Sequence, residues 1–269
     1  PVHTYATAGA YTVRLIATTG SLCSDTAIGQ VSVNTLPAVA FSSQQACQGN
    51  PVVFTPDFAV MDTNTMALWQ WDFGDGYSLT GHTVTHIYTT AAVYTVTLTV
   101  RDTAGCENHL SLPVTIQPLP AVNYAYTSPV CDGTEIDFTD LTQYTGTGYI
   151  YRRVWDFGDG TTQTIIFPSS SNVTHTYSQA GSFQVTLTAV TSDSCEAFVS
   201  KTVTVLSQPQ AAFTHGSGCE GSGMSFQNLS TAGGGQYLSG YQWDFGDPGS
   251  GTANGSQLED PTHTYNTAG

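Results

Sequence analysis

Charge is what this sequence has least of. Only 9% of its 269 residues are Asp, Glu, Lys or Arg, against about a quarter in ordinary soluble domains. Lys201 is the single lysine, beside four arginines. Phosphate binding needs clustered Lys and Arg, so nucleic acid is all but excluded as a partner and anionic membrane surfaces are disfavoured. The net charge of −15 leaves cations, calcium among them, as the complementary partners. No apolar run reaches transmembrane length, and the sequence opens on neither a signal-peptide pattern nor an initiator Met, which means little if it is a window from a longer chain. Also missing are CxxC, HExxH, Gly-x-Ser-x-Gly and a phosphate-cradling loop with Lys. The chain starts PVHTYATAG and stops PTHTYNTAG. The expectation is a window cut from a longer repetitive chain.

What is present is repetition. Cys47 to Phe54, Cys131 to Phe138 and Cys219 to Phe226 are each seven apart, and each Phe precedes a Trp (Trp71, Trp155, Trp243) by seventeen. Tyr11 to Cys23, Tyr94 to Cys106 and Phe183 to Cys195 are each twelve. The gap that varies is eleven residues from Asp75 to His86, but sixteen from Asp159 to His175 and from Asp247 to His263. A segment that absorbs insertions reads as a loop. The units are residues 1–34 (the back of one repeat), 35–117 and 118–206 (complete), and 207–269 (the front of another). Short joints at Leu36-Pro37, Leu119-Pro120 and Gln208-Pro209 predict a stiff extended rod. Within a repeat, Tyr94, Val96, Leu98 and Val100 alternate with Thr, the pattern of a half-buried antiparallel strand. About seven such strands per repeat predict an all-β chain of tandem β-sandwiches of immunoglobulin type.

Each repeat carries one aromatic–aspartate hexapeptide: Trp71-Asp72-Phe73-Gly74-Asp75-Gly76, its copy from Trp155, Asp156 and Phe157 through Asp159, and WDFGDP from Trp243, Asp244 and Phe245 through Asp247. Two carboxylates between aromatics suggest chemistry. An enzyme needs one site, however, whereas a feature in every repeat serves folding. Period two sends Trp71 and Phe73 to the core and Asp72 outward, and Gly74 to Gly76 forms a tight turn in which Asp75 bonds its own backbone.

WDFGDG followed by HxYxxxGxYxVxLxV, here HTYATAGAYTVRLIA, HIYTTAAVYTVTLTV and HTYSQAGSFQVTLTA, resembles the PKD (polycystic kidney disease) domain, a sandwich of immunoglobulin type. Ala92 departs from the pattern where Gly9 and Gly181 fit it, and Asp247-Pro248 lengthens its turn. The resemblance implies microbial surface proteins, accessory modules of secreted hydrolases, or receptors. The added cysteines are similar to those of long surface and gliding-motility proteins of Bacteroidota. Asp-Thr-Ala at Thr26 and Thr103 resembles the O-glycosylation sequon of that phylum.

Six cysteines, Cys23, Cys47, Cys106, Cys131, Cys195 and Cys219, point to an oxidising, extracellular setting. In such a sandwich Cys47 lies in the loop after the first strand, at the C-terminal pole, and Cys106 lies at the opposite pole. A strand length of ~20 Å separates them, while a disulfide needs Cα atoms within ~7 Å. Cys47 meets Cys195 if the end of one repeat abuts the start of the next. Pairing inside a repeat along a different strand path stays the alternative. By the same rule the partners of Cys23, Cys106, Cys131 and Cys219 fall outside the sequence. Such a joint would also gather Asp132 or Glu220 from the loops after first strands with Asp102, Asp193 or Glu196 from the loops at the opposite pole, calcium candidates set against the favoured reading as solvated loop carboxylates. The motif histidines His3, His86, His175 and His263 are one per repeat, each beside its Tyr, and cannot converge on one ion.

Catalysis is not expected, because two carboxylates on one turn cannot face each other across a cleft. The leading expectation is a stalk or filament segment of an extracellular bacterial surface protein, adhesive in role, whose partners are neighbouring repeats and identical chains. A second is a carbohydrate-binding or spacer array of a secreted hydrolase, which requires an exposed aromatic platform, with Trp69 and Tyr241 the residues to watch. A third completes residues 207–269 with residues 1–34 of another subunit, although the matching end points favour a window from a longer array.

Overall fold

A computed structural model describes residues 1–59, 66–127 and 129–266. These described residues form 23 strands. The chain divides into two compact units: Pro1–Pro120 with the excursions Tyr144–Tyr149 and Thr191–Cys195, and the remainder, Ala121–Gln143, Ile150–Val190 and Glu196–Gly269.

The first unit opens with a hairpin, β1 (Gly9–Thr18) and β2 (Ser24–Val33), which forms a two-stranded sheet by itself. A sandwich follows, made of β3 (Phe41–Ser43), β4 (Ala46–Cys47), β5 (Pro51–Pro56), β6 (Met66–Asp72), β7 (Ser78–Thr80), β8 (Val84–Ile87), β9 (Val93–Asp102) and β10 (Glu107–Gln117). One sheet runs β4-β10-β9-β6-β7 and the other β3-β5-β8. The strand count exceeds the seven expected because the first strand splits. β3 pairs with β5, and β4 then crosses to lie parallel to the end of β10. Cys47 is therefore on a strand rather than in a loop, opposite Gln117.

The second unit repeats the plan with β11 (Tyr124–Tyr126), β12 (Val130–Cys131), β13 (Glu135–Asp140), β14 (Ile150–Asp156), β15 (Thr162–Ile166), β16 (Val173–Thr176), β17 (Gly181–Thr191) and β18 (Glu196–Leu206). Its sheets are β12-β18-β17-β14-β15 and β11-β13-β16. The unit ends with β19 (Phe213–His215), β20 (Gly223–Asn228), β21 (Trp243–Asp244), β22 (Gly255–Ser256) and β23 (Thr262–Thr264). The Pro at 248 starts a 3-10 helix, Pro248–Asn254, which lengthens that turn.

Period-two alternation builds the cores. Val96, Leu98 and Val100 of β9 are fully buried, as are Val185 and Leu187 of β17, while the intervening threonines are not. Trp71, Phe73, Phe54 and their counterparts Trp155, Phe157 and Phe138 fill the centres. Burying such a side chain contributes ~1.5–3 kcal/mol each. Among the described residues no helix is long and apolar enough to cross a membrane.

Candidate functional site: the aromatic–aspartate turns and a long-range disulfide

The hexapeptide ends β6, and its polar groups are consumed locally. Asp72 Oδ1 accepts the Gly74 N–H at 2.9 Å, and Asp75 Oδ1 accepts the Tyr77 N–H at 3.1 Å. Gly74 has φ +75°, and a Cβ there would stand 2.5 Å from the Thr95 carbonyl oxygen of β9. Gly158 repeats this with φ +77° and 2.6 Å to the Gln184 oxygen. Glycine is required for both reasons, a left-handed backbone and a close approach.

The second carboxylate oxygen of Asp75 meets His86 Nε2 at 2.6 Å. Asp159 meets His175 at 2.8 Å, and Asp247 meets His263 at 3.1 Å. Each imidazole lies flat on the hexapeptide Phe, with centroids 4.2, 4.0 and 4.5 Å apart. Its other neighbour is the Tyr two residues on, met edge-on. That Tyr donates to the carbonyl of the same Phe, at 3.1 Å for Tyr88, 2.9 Å for Tyr177 and 2.9 Å for Tyr265. Burial, then the Asp75 charge, raises the Tyr88 hydroxyl above its ordinary range, so it remains a donor. At Asp159 burial pushes the carboxyl up, but hydrogen bonds from Thr161 and His175 outweigh it and hold it below 3.8. The expectation that each His sits beside its Tyr holds for these rings. The Asp–His pairing was missed: both residues recur in every repeat, but at a spacing of eleven in one and sixteen in the others, so recurrence alone did not join them. The carboxylates are committed to turn amides and imidazoles, and the constellation closes a sandwich edge.

Cys47 and Cys195 form a disulfide with Cα atoms 5.5 Å apart, across 148 residues of sequence. Cys195 closes the turn between β17 and β18, where its N–H donates to Thr191 Oγ1 at 3.0 Å and its carbonyl accepts the Thr191 N–H. Cys23 and Cys219 are exposed free thiols, and Cys106 and Cys131 are partly covered ones.

The five acidic candidates do not gather. Among the described residues no group of three or more His, Cys, Asp or Glu is placed to hold a metal. Asp102 accepts the Cys106 N–H at 2.8 Å within its own turn, and Asp132 accepts the Gln208 N–H at 2.7 Å, tying the turn after β12 to the segment after β18. Asp193 Oδ2 is buried without a hydrogen-bond partner, and burial followed by its charge raises the nearby Tyr144 hydroxyl. Glu196 and Glu220 are exposed. Thr26 and Thr103 are both exposed, Thr26 on β2 with its N–H on Asp25 and Thr103 in the turn after β9. Trp69 is 5% exposed against His82 and forms no platform, and Tyr241 donates to Glu259 at 3.2 Å.

The sequence profile of the PKD domain matches residues 34–118 and 117–205. This chain belongs to the PKD domain family. Human polycystin-1 is 33% identical over 190 residues, covering 69% of this chain and 4% of that protein. Collagenase ColA of Bacillus cereus is 32% identical over 75 residues, 28% of this chain and 8% of the collagenase. The chain thus spans a small fraction of either relative. Among solved structures, the PKD1 domain of Vibrio anguillarum Epp is 27% identical with a TM-score of 0.28, covering 31% of this chain and 96% of that domain.

Proposed function

We propose that this PKD chain is a non-catalytic structural stalk segment of an extracellular bacterial surface protein, of the adhesive kind found in Bacteroidota. The observation that carries this reading is the Cys47–Cys195 bond, which ties one repeat to a turn of the next. A covalent tie between successive repeats serves load-bearing and protease resistance and contributes nothing to turnover. The committed carboxylates of the three hexapeptides support the same reading. Exposed Thr26 and Thr103 would carry glycans in that setting. Among the described residues no group of three or more His, Cys, Asp or Glu is placed to hold calcium. The test is electron microscopy of intact cells labelled with antibody to residues 35–206. Label along projections from the surface supports the reading, and cells bare of label sink it.

One observation favours an accessory carbohydrate module instead. Tyr151 and Phe167, 45% and 54% exposed, lie side by side at the end of the β14–β15 pair, where the Phe167 N–H donates to the Tyr151 carbonyl at 2.9 Å. Retention on insoluble polysaccharide, abolished by Tyr151→Ala, would shift the reading to that function.

A further inference from the structure

The third hexapeptide turn differs from the other two at one position, Pro248 in place of Gly76 and Gly160, and the hydrogen bonding around it differs as well. Asp75 Oδ1 accepts the Tyr77 N–H, and Asp159 Oδ1 accepts the Thr161 N–H. Asp247 Oδ1 accepts no backbone N–H of the segment it opens. Its Oδ2 is held by His263 Nε2 at 3.1 Å, and the Asp247 side chain is 21% exposed, the same as Asp159 in its complete repeat. The carboxylate is thus fixed at one oxygen and unengaged at the other.

The carbonyl of the same residue has gained donors. Ser250 gives it both its N–H, at 3.0 Å, and its Oγ–H, at 2.7 Å. The carbonyls of Asp75 and Asp159 receive no hydrogen bond among the described residues. Two donors on one carbonyl oxygen are the arrangement that stabilises an oxyanion developing there. On the other side of Asp247 its N–H is fixed by Asn254 Oδ1 at 2.5 Å. The bond that follows is to proline, a tertiary amide without an N–H, whose nitrogen leaves as a secondary amine.

We propose that the chain cleaves itself between Asp247 and Pro248, with the Asp247 carboxylate as nucleophile and Ser250 as oxyanion donor. Oδ1 attacks the Asp247 carbonyl carbon and closes a five-membered ring, and the carbonyl electron pair moves onto the oxygen held by Ser250. As that pair returns, the C–N bond breaks and Pro248 N leaves as an amine, taking a proton from solvent. The cyclic anhydride left behind is opened by water, which gives Asp247 two carboxyl groups. The net change is the consumption of a single water. The two pieces stay joined through the pairing of β20 with β23 and of β21 with β22, so the cut is silent while the fold is intact. The inference is independent of the stalk reading.

The test incubates the native 269-residue chain in mildly acidic buffer and reads masses under denaturing conditions. Fragments 1–247 and 248–269 are expected to accumulate. Asp260–Pro261 is the internal control: the dipeptide is the same, but Asp260 Oδ1 is taken by the Asn228 N–H at 2.7 Å, so that bond should stay whole. Ser250→Ala keeps the N–H and loses the hydroxyl, and should slow cleavage ~10²-fold, as removal of one oxyanion donor does, with the circular dichroism spectrum unchanged. Pro248→Gly restores the turn sequence of the complete repeats and should remain uncut, as should Asp247→Asn. An intact wild-type chain, equal cutting at Asp260–Pro261, or cutting undiminished by Ser250→Ala or by urea would each overturn the inference.

Discussion

Opening the Cys47–Cys195 bond should lengthen the chain that can be drawn out under load. When the two ends are pulled apart, force travels along the backbone to Cys47, crosses the sulfur bridge and re-enters at Cys195. The residues between them, 48 to 194, carry no tension. They include β5 to β10 and β11 to β17, which is most of both complete sandwiches. Fully extended, that segment spans ~490–530 Å at ~3.3–3.6 Å per residue. Single-molecule force spectroscopy, with handles near residues 1 and 269, should therefore gain about 500 Å of contour in reductant or in the Cys47→Ser/Cys195→Ser double variant. Equal contour lengths with and without reductant would refute the force path. The same bond limits the unfolded chain. A closed loop of this size is worth ~5 kcal/mol in the chain-entropy model, and ~4 kcal/mol if only about 70 residues of it are unfolded, because the dependence on length is logarithmic. Measured disulfides usually deliver ~2–4 kcal/mol, so the double variant should lose a few kcal/mol in denaturant titration.

Four other outcomes are expected. Gly74→Ala meets the Thr95 backbone and a left-handed φ, and should cost ~1–3 kcal/mol in urea unfolding. Gly76→Ala, with φ +93° and nothing within 4 Å, should cost less, and equal losses would remove the close-approach argument. Asp140 forms an ion pair with Arg153 while its own side chain is 2% exposed, so Asp140→Ala should cost ~3–5 kcal/mol by stranding the guanidinium, with Arg153→Met in the same chain recovering part of it. The Asp159 carboxyl, lowered when folded, contributes stability that is present above its unfolded value near 3.8 and lost as pH falls through the lower folded value. Denaturant midpoints between pH 5 and 2 should therefore fall less steeply in Asp159→Asn. Chelator should leave the melting temperature unchanged, since no carboxylate cluster is assembled among the described residues, and a drop of several degrees would restore the calcium reading.

The parts of the fold fixed by local pattern were legible. Alternation in YTVTLTV identified Val96, Leu98 and Val100 as core, and the spacing of Trp71 and Phe73 put both rings inside. Strand direction and an assumed abutment of successive repeats favoured Cys47 with Cys195 but left pairing inside a repeat open, and the structure bonds the favoured pair. What was not legible depends on side chains meeting across a loop of variable length. Asp75 reaches His86 over eleven residues and Asp159 reaches His175 over sixteen, so no fixed spacing announces the pair. The position two before each core Trp shows the same limit. It is a buried Trp69, an Arg153 paired with Asp140, and a Tyr241 bonded to Glu259. Three unlike residues fill one place because each recruits a different neighbour.

The long reach of the Cys47–Cys195 bond also sets an order of events during synthesis. A chain made from its N-terminus presents Cys106 and Cys131 to Cys47 before Cys195 exists. Avoiding those earlier thiols requires residues 35–117 to fold first, with Cys47 held, 8% exposed, on β4 beside Gln117. The lock then closes only when the turn after β17 has formed in the following repeat. Locking thus trails folding by one repeat, and oxidation of Cys47 becomes a timestamp for the completion of its successor.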